Sequence, residues 1–326
     1  GAINVHNGTI DAKLPDSTVV TGENVNGSVA FADYPSLAID ASMTVDGQKV
    51  TAHGTYASNR QYDFTVSADA VNGTYASSFI PSSADVVIRS GTVENVKVRV
   101  ADSHNGFFLS GQADVSDGHV TVQGLDVDGL KGHAALTSKD ITLSDVEGRV
   151  NGQDFRVGGT IVINGDTPVF NLNVDVPGAD VTAFADYLPV AISGTAGFKG
   201  TVWGTVQDVN ARGTASLHDM TYNGYTVDEA QADLIYSQNR IDIDSLTAQA
   251  YGASLSGKGV YDIQSGAYEA DANVDGLDLS AVPGVPVAVM GSLSASLHAA
   301  GNSTDNSIMA TGHVMAGDLS YNGLTV

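Results

Sequence analysis

The side chains able to do chemistry are scattered along this sequence. Its eight histidines are His6, His53, His104, His119, His133, His218, His298 and His313. None forms an i, i+4 pair or an H-E-x-x-H pattern, the spacings that would place two imidazoles on one metal ion. They read as isolated solvent histidines. Acidic patches at Asp114 to Asp117 and Asp126 to Asp128 lack the third ligand and later Glu of an EF-hand loop. They read as turn-forming aspartates, with Ca²⁺ no more than adventitious. Other carboxylate pairs are scattered through a very acidic chain and single out no glycosidase site. No phosphate-binding Gly-rich loop and no Gly-x-Ser-x-Gly elbow is present. The expectation is a chain that is not an enzyme, with no catalytic residue, cofactor or metal.

Composition narrows the partners. Fourteen Lys and Arg stand against 37 Asp and Glu, for a net charge of −23. Such a surface gains nothing from counterion release, so nucleic acid is an unsuitable partner. Docking on an anionic lipid leaflet is disfavoured for the same reason. The 42% apolar content is enough for extensive burial. Without Cys, disulfides and thiolate metal sites are excluded. No run of 18 apolar residues marks a membrane-spanning helix. The chain opens on Gly1 and stops inside a repeating pattern, so it reads as a fragment or a processed chain.

The elements that carry these residues are strands. Apolar residues alternate with polar ones almost throughout, the period of a strand with one apolar face. Leu37, Ile39, Ala41, Met43 and Val45 form one such run; Tyr62, Phe64, Val66, Ala68 and Ala70 another. Asn-Gly pairs at Asn7, Asn26, Asn72, Asn105, Asn151, Asn164, Asn223 and Asn322 read as hairpin turns. Asp-Gly pairs at Asp46, Asp117, Asp128 and Asp275 read the same way. At about ten residues for a strand and its turn, this predicts about 30 strands in antiparallel meanders. Short helical turns are expected only at Ala179 to Tyr187 and Ser280 to Val282.

The pattern also recurs over a longer period. Asn173-Val-Asp returns at Asn273, and Tyr222-Asn-Gly at Tyr321. Gly152 and Gly159 return as Gly252 and Gly259. A period near 100 residues is the mark of an array. The reading is one continuous array over residues 1–326, in units 1–75 (partial), 76–178, 179–278 and 279–326 (truncated). Joins fall at Ile80-Pro81-Ser82, Val176-Pro177-Gly178 and Val282-Pro283-Gly284, where Pro interrupts ladder pairing.

An apolar face on every strand must be covered. Two readings follow from pattern alone. One is an ordinary closed sandwich core, as in a repetitive cell-surface adhesin or stalk. The other is an open groove that accepts hydrocarbon, suited to the many Ala and Gly and the 7% aromatic content. A β-helical carbohydrate-active enzyme would instead need Asp residues converging in one cleft.

Some segments resemble a known family. They are Gly213-Thr-Ala215, Tyr222-Asn-Gly-Tyr225, Ile241-Asp-Ile-Asp-Ser-Leu246 and Tyr251-Gly-Ala-Ser-Leu-Ser-Gly-Lys-Gly259. Their texture, from about Ile88 onward, is similar to the repeats of TamB-type translocation and assembly module proteins of diderm bacteria. These belong to the AsmA-like, bridge-like lipid-transfer group with repeating β-grooves. The resemblance implies an all-β fold: an elongated, curled antiparallel sheet of ~100-residue repeats, a β-taco with an apolar inner face. It implies a periplasmic conduit in envelope biogenesis, carrying phospholipid acyl chains between inner and outer membranes. The implied partners are phospholipids, an outer-membrane assembly-family barrel and an inner-membrane anchor outside this chain, which would be a middle section. The alternative places it at the cell surface.

On that reading the site is a lining shared by many strands. The expected lining residues are Ile39, Ala41, Met43, Phe64, Val66, Val96, Val98, Val100, Val120, Val122, Ile141, Leu143, Val157, Ile161, Ile163, Leu172 and Val174, followed by Leu234, Ile241, Ile243, Leu246, Leu255, Ala270, Ala272 and Val274.

Overall fold

The computed structural model describes residues 1–14, 16–57, 61–79, 86–103, 106–122, 124–163, 167–188, 191–286 and 288–325. Among the described residues twenty strands make the chain all-β, and every assigned ladder is antiparallel. It divides into two compact units, residues 1–170 and 171–326. His104, the join expected at Ile80-Pro81-Ser82 and the turns expected at Asn105 and Asn164 lie outside the described residues.

The first unit contains β1 (Ala2–Lys13), β2 (Val19–Ala30), β3 (Ser36–Val45), β4 (Gln48–Ala57) and β5 (Tyr62–Asn72). It continues with β6 (Val86–Ser103), β7 (Gly106–Val122), β8 (Leu125–Thr137), β9 (Asp140–Val150) and β10 (Gln153–Val162). Each strand pairs with the next in sequence, from β1 through β10. Among the described residues β1 pairs with β2 alone, so the sheet is open at this edge. The connections therefore alternate between two rims of the sheet.

The second unit contains β11 (Val169–Asp180, whose first two residues fall before the division), β12 (Ile192–Gly204), β13 (Val209–Tyr222), β14 (Tyr225–Ser237) and β15 (Arg240–Ala250). Then come β16 (Ala253–Asp262), β17 (Ala267–Asp278), β18 (Val289–Asn302), β19 (Ser307–Tyr321) and the two-residue β20 (Leu324–Thr325). Consecutive pairing runs from β12 through β20.

The strands are fewer and longer than the turn signals predict: twenty, not about 30, and up to 18 residues long. The Asn-Gly and Asp-Gly pairs explain the difference, because they serve two purposes. Asp46-Gly47, Asn151-Gly152, Asn223-Gly224 and Asn322-Gly323 are hairpin turns with positive φ at both residues. Asn7 and Asp117 also have positive φ, yet they sit inside β1 and β7, at register shifts. A single left-handed residue there makes a β-bulge and the strand continues. Asn26, Asp128 and Asp275 likewise lie within strands. Conversely, Gln238-Asn239 and Tyr251-Gly252 turn with positive φ at both positions although neither pair is a standard turn signal.

Bulges also explain the spacing Ile-x-Ile-x-x-Leu. The β15–β16 register shifts between Ile243 and Leu246, so the one extra residue is absorbed and both apolar side chains stay on one face. Ile141, Leu143 and Val146 follow the same spacing on β9, where Asp145 has φ 52°.

Two 3-10 segments are described, Gly73–Phe79 and Val181–Tyr187. The second is the helical turn expected at Ala179 to Tyr187. Its start is fixed by Asp180, whose carboxylate accepts from the Thr182 backbone N–H (2.9 Å) and hydroxyl (2.6 Å). Asn72 caps Thr74 in the same way (3.0 and 2.8 Å), and Asp278 caps Ser280 (2.9 and 2.7 Å) where β17 ends. Pro177 lies inside β11, so that connection begins after Asp180 rather than at Pro177.

Candidate functional site

In an antiparallel ladder, directly opposed residues project to the same face. The register of the first unit therefore defines one row across ten strands: Val5, Gly27, Ala41, Ala52, Val66, Val98, Gly111, Leu136, Ile141 and Ile161. Every member is apolar. A neighbouring row joins Ile3, Val29, Ile39, Gly54, Phe64, Val100 and Leu109. Met43, Val50, Ala68 and Val96 form a third. Leu143 stands between Ala134 and Gly159, and Val157 opposes Val146. Val120 pairs with Ile88 and Val127, and Val122 with Val86 and Leu125.

The second unit repeats this arrangement over eight strands. One row is Phe198, Ala215, Ala232, Leu246, Gly257, Ala272, Leu297 and Gly312. Beside it run Gly200, Gly213, Leu234, Ile243, Gly259, Ala270, Ala299 and Ala310. Leu255 and Val274 belong to a further row between Ala248 and Ala295, and Ile241 to one between Tyr236 and Tyr261. On β11, Leu172 and Val174 are half-buried and alternate with exposed Asn171 and Asn173. Ile163 stands at the end of the ladder. It lies one residue past β10, is 37% exposed, and its N–H donates to the Lys139 carbonyl (2.7 Å).

Rows one residue out of phase are polar. In the first unit Asn4, Ser28, Asp40, His53, Thr65, Arg99, Ser110 and Thr137 form one row. In the second, Ser216, Gln231, Thr247, Ser256, Asn273, Ser296 and His313 do so. Each unit thus presents one apolar and one polar face, and this division is a property of the ladder as a whole.

The apolar faces are incompletely covered. No large side chain is fully buried among the described residues. The buried apolar residues are Val45, Ala68, Val127, Ala179, Val181, Ala250, Ala253 and Ala295, mostly small. Nearly all the row members are half-buried instead.

The polar face corrects the reading of the histidines as isolated. His53, His133, His218 and His298 each stand directly across a ladder from a carboxylate: Asp40, Asp114, Glu229 and Asp271. His53 and Asp40 are in close hydrogen-bond contact, and Nδ1 lies 2.8 Å from the carboxylate in both His133–Asp114 and His298–Asp271. His119 lies 3.4 Å from Asp128. The Asp114 carboxyl is held below its ordinary pKa, chiefly by the Asn95 amide and then by His133; Asp271 is held low chiefly by His298. Cross-strand register was the signal for these pairs, and it is invisible in sequence spacing. The His53 and His298 pairs are solvent-exposed, and the His133 pair is part-buried. Among the described residues no group of three or more His, Asp or Glu could hold a metal ion.

Glycines complete the apolar rows, and sequence reasoning passed over them. Gly54, Gly111, Gly257 and Gly259 all occupy apolar-face positions. Among the described residues no helix is long and apolar enough to cross a membrane. No family model, curated protein or solved structure matches this chain.

Proposed function

We propose that the chain is a section of a lipid conduit, and that phospholipid acyl chains lie along the apolar faces of its sheets. The observation that carries this reading is the set of half-buried apolar rows that cross strand after strand. A lone pocket would trap one ligand; a uniform row offers equivalent positions in sequence, so movement along it meets small barriers. Each methylene withdrawn from water contributes about 0.8 kcal/mol, so two acyl chains offset the cost of leaving a bilayer. The polar opposite face, with its His–carboxylate and Arg99–Asp63 pairs, keeps such a sheet in water.

The finer architecture belongs to the same proposal: a curled sheet built from ~100-residue repeats. Matched backbone positions support it. Gly91, Gly194 and Gly291 have φ of 137°, 125° and 132°. Asp117, Asp219 and Asp318 have φ of 49°, 49° and 51°, and each lies close to the corresponding glycine. Gly47, Gly152 and Gly252 have φ of 78°, 77° and 75°. By the sequence resemblance, the site of action is the periplasm of a diderm bacterium, within a longer protein anchored in the inner membrane and joined to an outer-membrane barrel.

The test places a charge on the apolar face. Val98→Asp or Ile243→Arg should abolish lipid transfer by a protein that otherwise supports it, while the polar face stays folded. Undiminished transfer by folded variants would refute the groove.

A further inference from the structure

The apolar face of the second unit ends differently at its two rims. At the rim carrying the Val181–Tyr187 segment and the connection after Asp278, small apolar side chains are buried. Ala253 is 0% exposed there, Ala250, Ala179 and Val181 are buried, and Tyr251 accepts a hydrogen bond from the Thr226 N–H (2.6 Å). At the opposite rim, the same strands end in tyrosines. Tyr261 opposes Tyr268 directly, and Ile241 stands between Tyr261 and Tyr236. All three rings are half-buried and belong to the apolar face. Their hydroxyls reach the rim: Tyr236 to the Asn239 side chain (3.5 Å), Tyr261 to Ser303 Oγ (3.2 Å) and Tyr268 to the Ser307 carbonyl (3.3 Å).

A tyrosine with its ring on hydrocarbon and its hydroxyl in a wet network marks a boundary between apolar and polar phases. Three in cross-strand sequence make that boundary a line. We propose that this rank of tyrosines is the lip that holds the polar ends of bound amphiphiles, with their hydrocarbon directed toward Leu255 and Val274. The inference rests on the lipid reading above and adds an orientation to it. The occupant is a molecule with a polar head and a long alkyl chain, because the lip offers hydroxyl and carbonyl groups and the rows beyond it offer only apolar side chains and Gly positions. A second protein chain would have no reason to put its polar groups on one rim.

Strand β16 supplies the test. Leu255 and Tyr261 share its apolar face about 20 Å apart. Proteins with a single tryptophan would be made in a Trp203→Phe background, with Tyr261→Trp or Leu255→Trp. Tyr268→Trp and Val274→Trp on β17 provide an independent pair should either β16 variant misfold. Each protein is mixed with phosphatidylcholine carrying a nitroxide on the headgroup or near the end of an acyl chain. The headgroup label should quench the Tyr261→Trp and Tyr268→Trp proteins more strongly than the Leu255→Trp and Val274→Trp proteins, and the chain label should do the reverse. Equal or inverted quenching at the two ends would overturn the orientation while leaving lipid binding intact. No quenching at any position by either label would overturn the lipid reading and the orientation with it.

Discussion

Gly54 and Phe64 face each other across β4 and β5, and the aromatic ring occupies the space a side chain on Gly54 would need. A Cβ built on Gly54 would lie 2.5 Å from Phe64 Cδ1, with the Asp63 carbonyl closer still. The large–small pairing gives the aromatic ring room on the apolar face. Gly54→Ala should therefore destabilise the protein by about 1–3 kcal/mol through overpacking. Urea unfolding checks this, and an unchanged midpoint would show that the pairing carries no constraint.

Backbone conformation gives a second, graded prediction. Gly194 has φ 125°, and a Cβ there would meet the Asp219 carbonyl at 2.7 Å and Met220 Cα at 2.8 Å. Gly224 has φ 82° in a hairpin turn with open space around it. Gly224→Ala should cost on the order of 1 kcal/mol, from conformation alone. Gly194→Ala should cost more, since it adds contact with backbone that cannot retreat. Thermal unfolding of the two variants should rank them in that order.

The capped connections make stability depend on pH. Hydrogen bonds from the Thr182 hydroxyl and then its backbone N–H hold the Asp180 carboxyl below its ordinary pKa; Ser280 does the same for Asp278. A carboxyl lowered in the folded state contributes stability that is complete above its unfolded pKa, about 3.9. That contribution is lost as pH falls through the lower folded value. Asp180→Asn and Asp278→Asn, which keep an acceptor without the titrating group, should lose less stability than the parent between neutral and acid pH. Parallel stability curves would contradict the assignment.

The two faces of β6 should respond in opposite ways to charge. Val98 sits in the ten-strand apolar row, and Lys97 beside it pairs with Ser67 and Gln112. An environment-sensitive hydrophobic dye should bind the parent protein. Val98→Asp should weaken that binding, whereas Lys97→Asp should leave it unchanged. Equal effects from the two would mean that the dye does not distinguish the faces.

Much of this arrangement is legible in the sequence because period-2 alternation is local. The runs Ile39-x-Ala41-x-Met43 and Val96-x-Val98-x-Val100 face one way as alternation requires. Their mutual alignment depends on register, which is set between strands, so the His133–Asp114 pair and the completing glycines stayed hidden. Turn residues misled the strand count for a related reason. Asn and Asp tolerate positive φ, and Asp117 uses it for a bulge within β7 while Asp46 uses it for a hairpin. The same dipeptide supports both, and pairing decides which one forms. Ile163 alternates correctly in sequence but falls beyond the last ladder pair of β10, at Val162.

Hydrocarbon on the apolar faces should be found by lipid analysis of the purified chain. The protein and its Val98→Asp/Ile243→Arg double variant would be purified identically from a lipid-containing host without detergent, then extracted and examined by mass spectrometry. Phospholipid should be bound to the parent and strongly depleted from the folded variant. A lipid-free parent, or equal phospholipid on both proteins, would contradict the lipid reading.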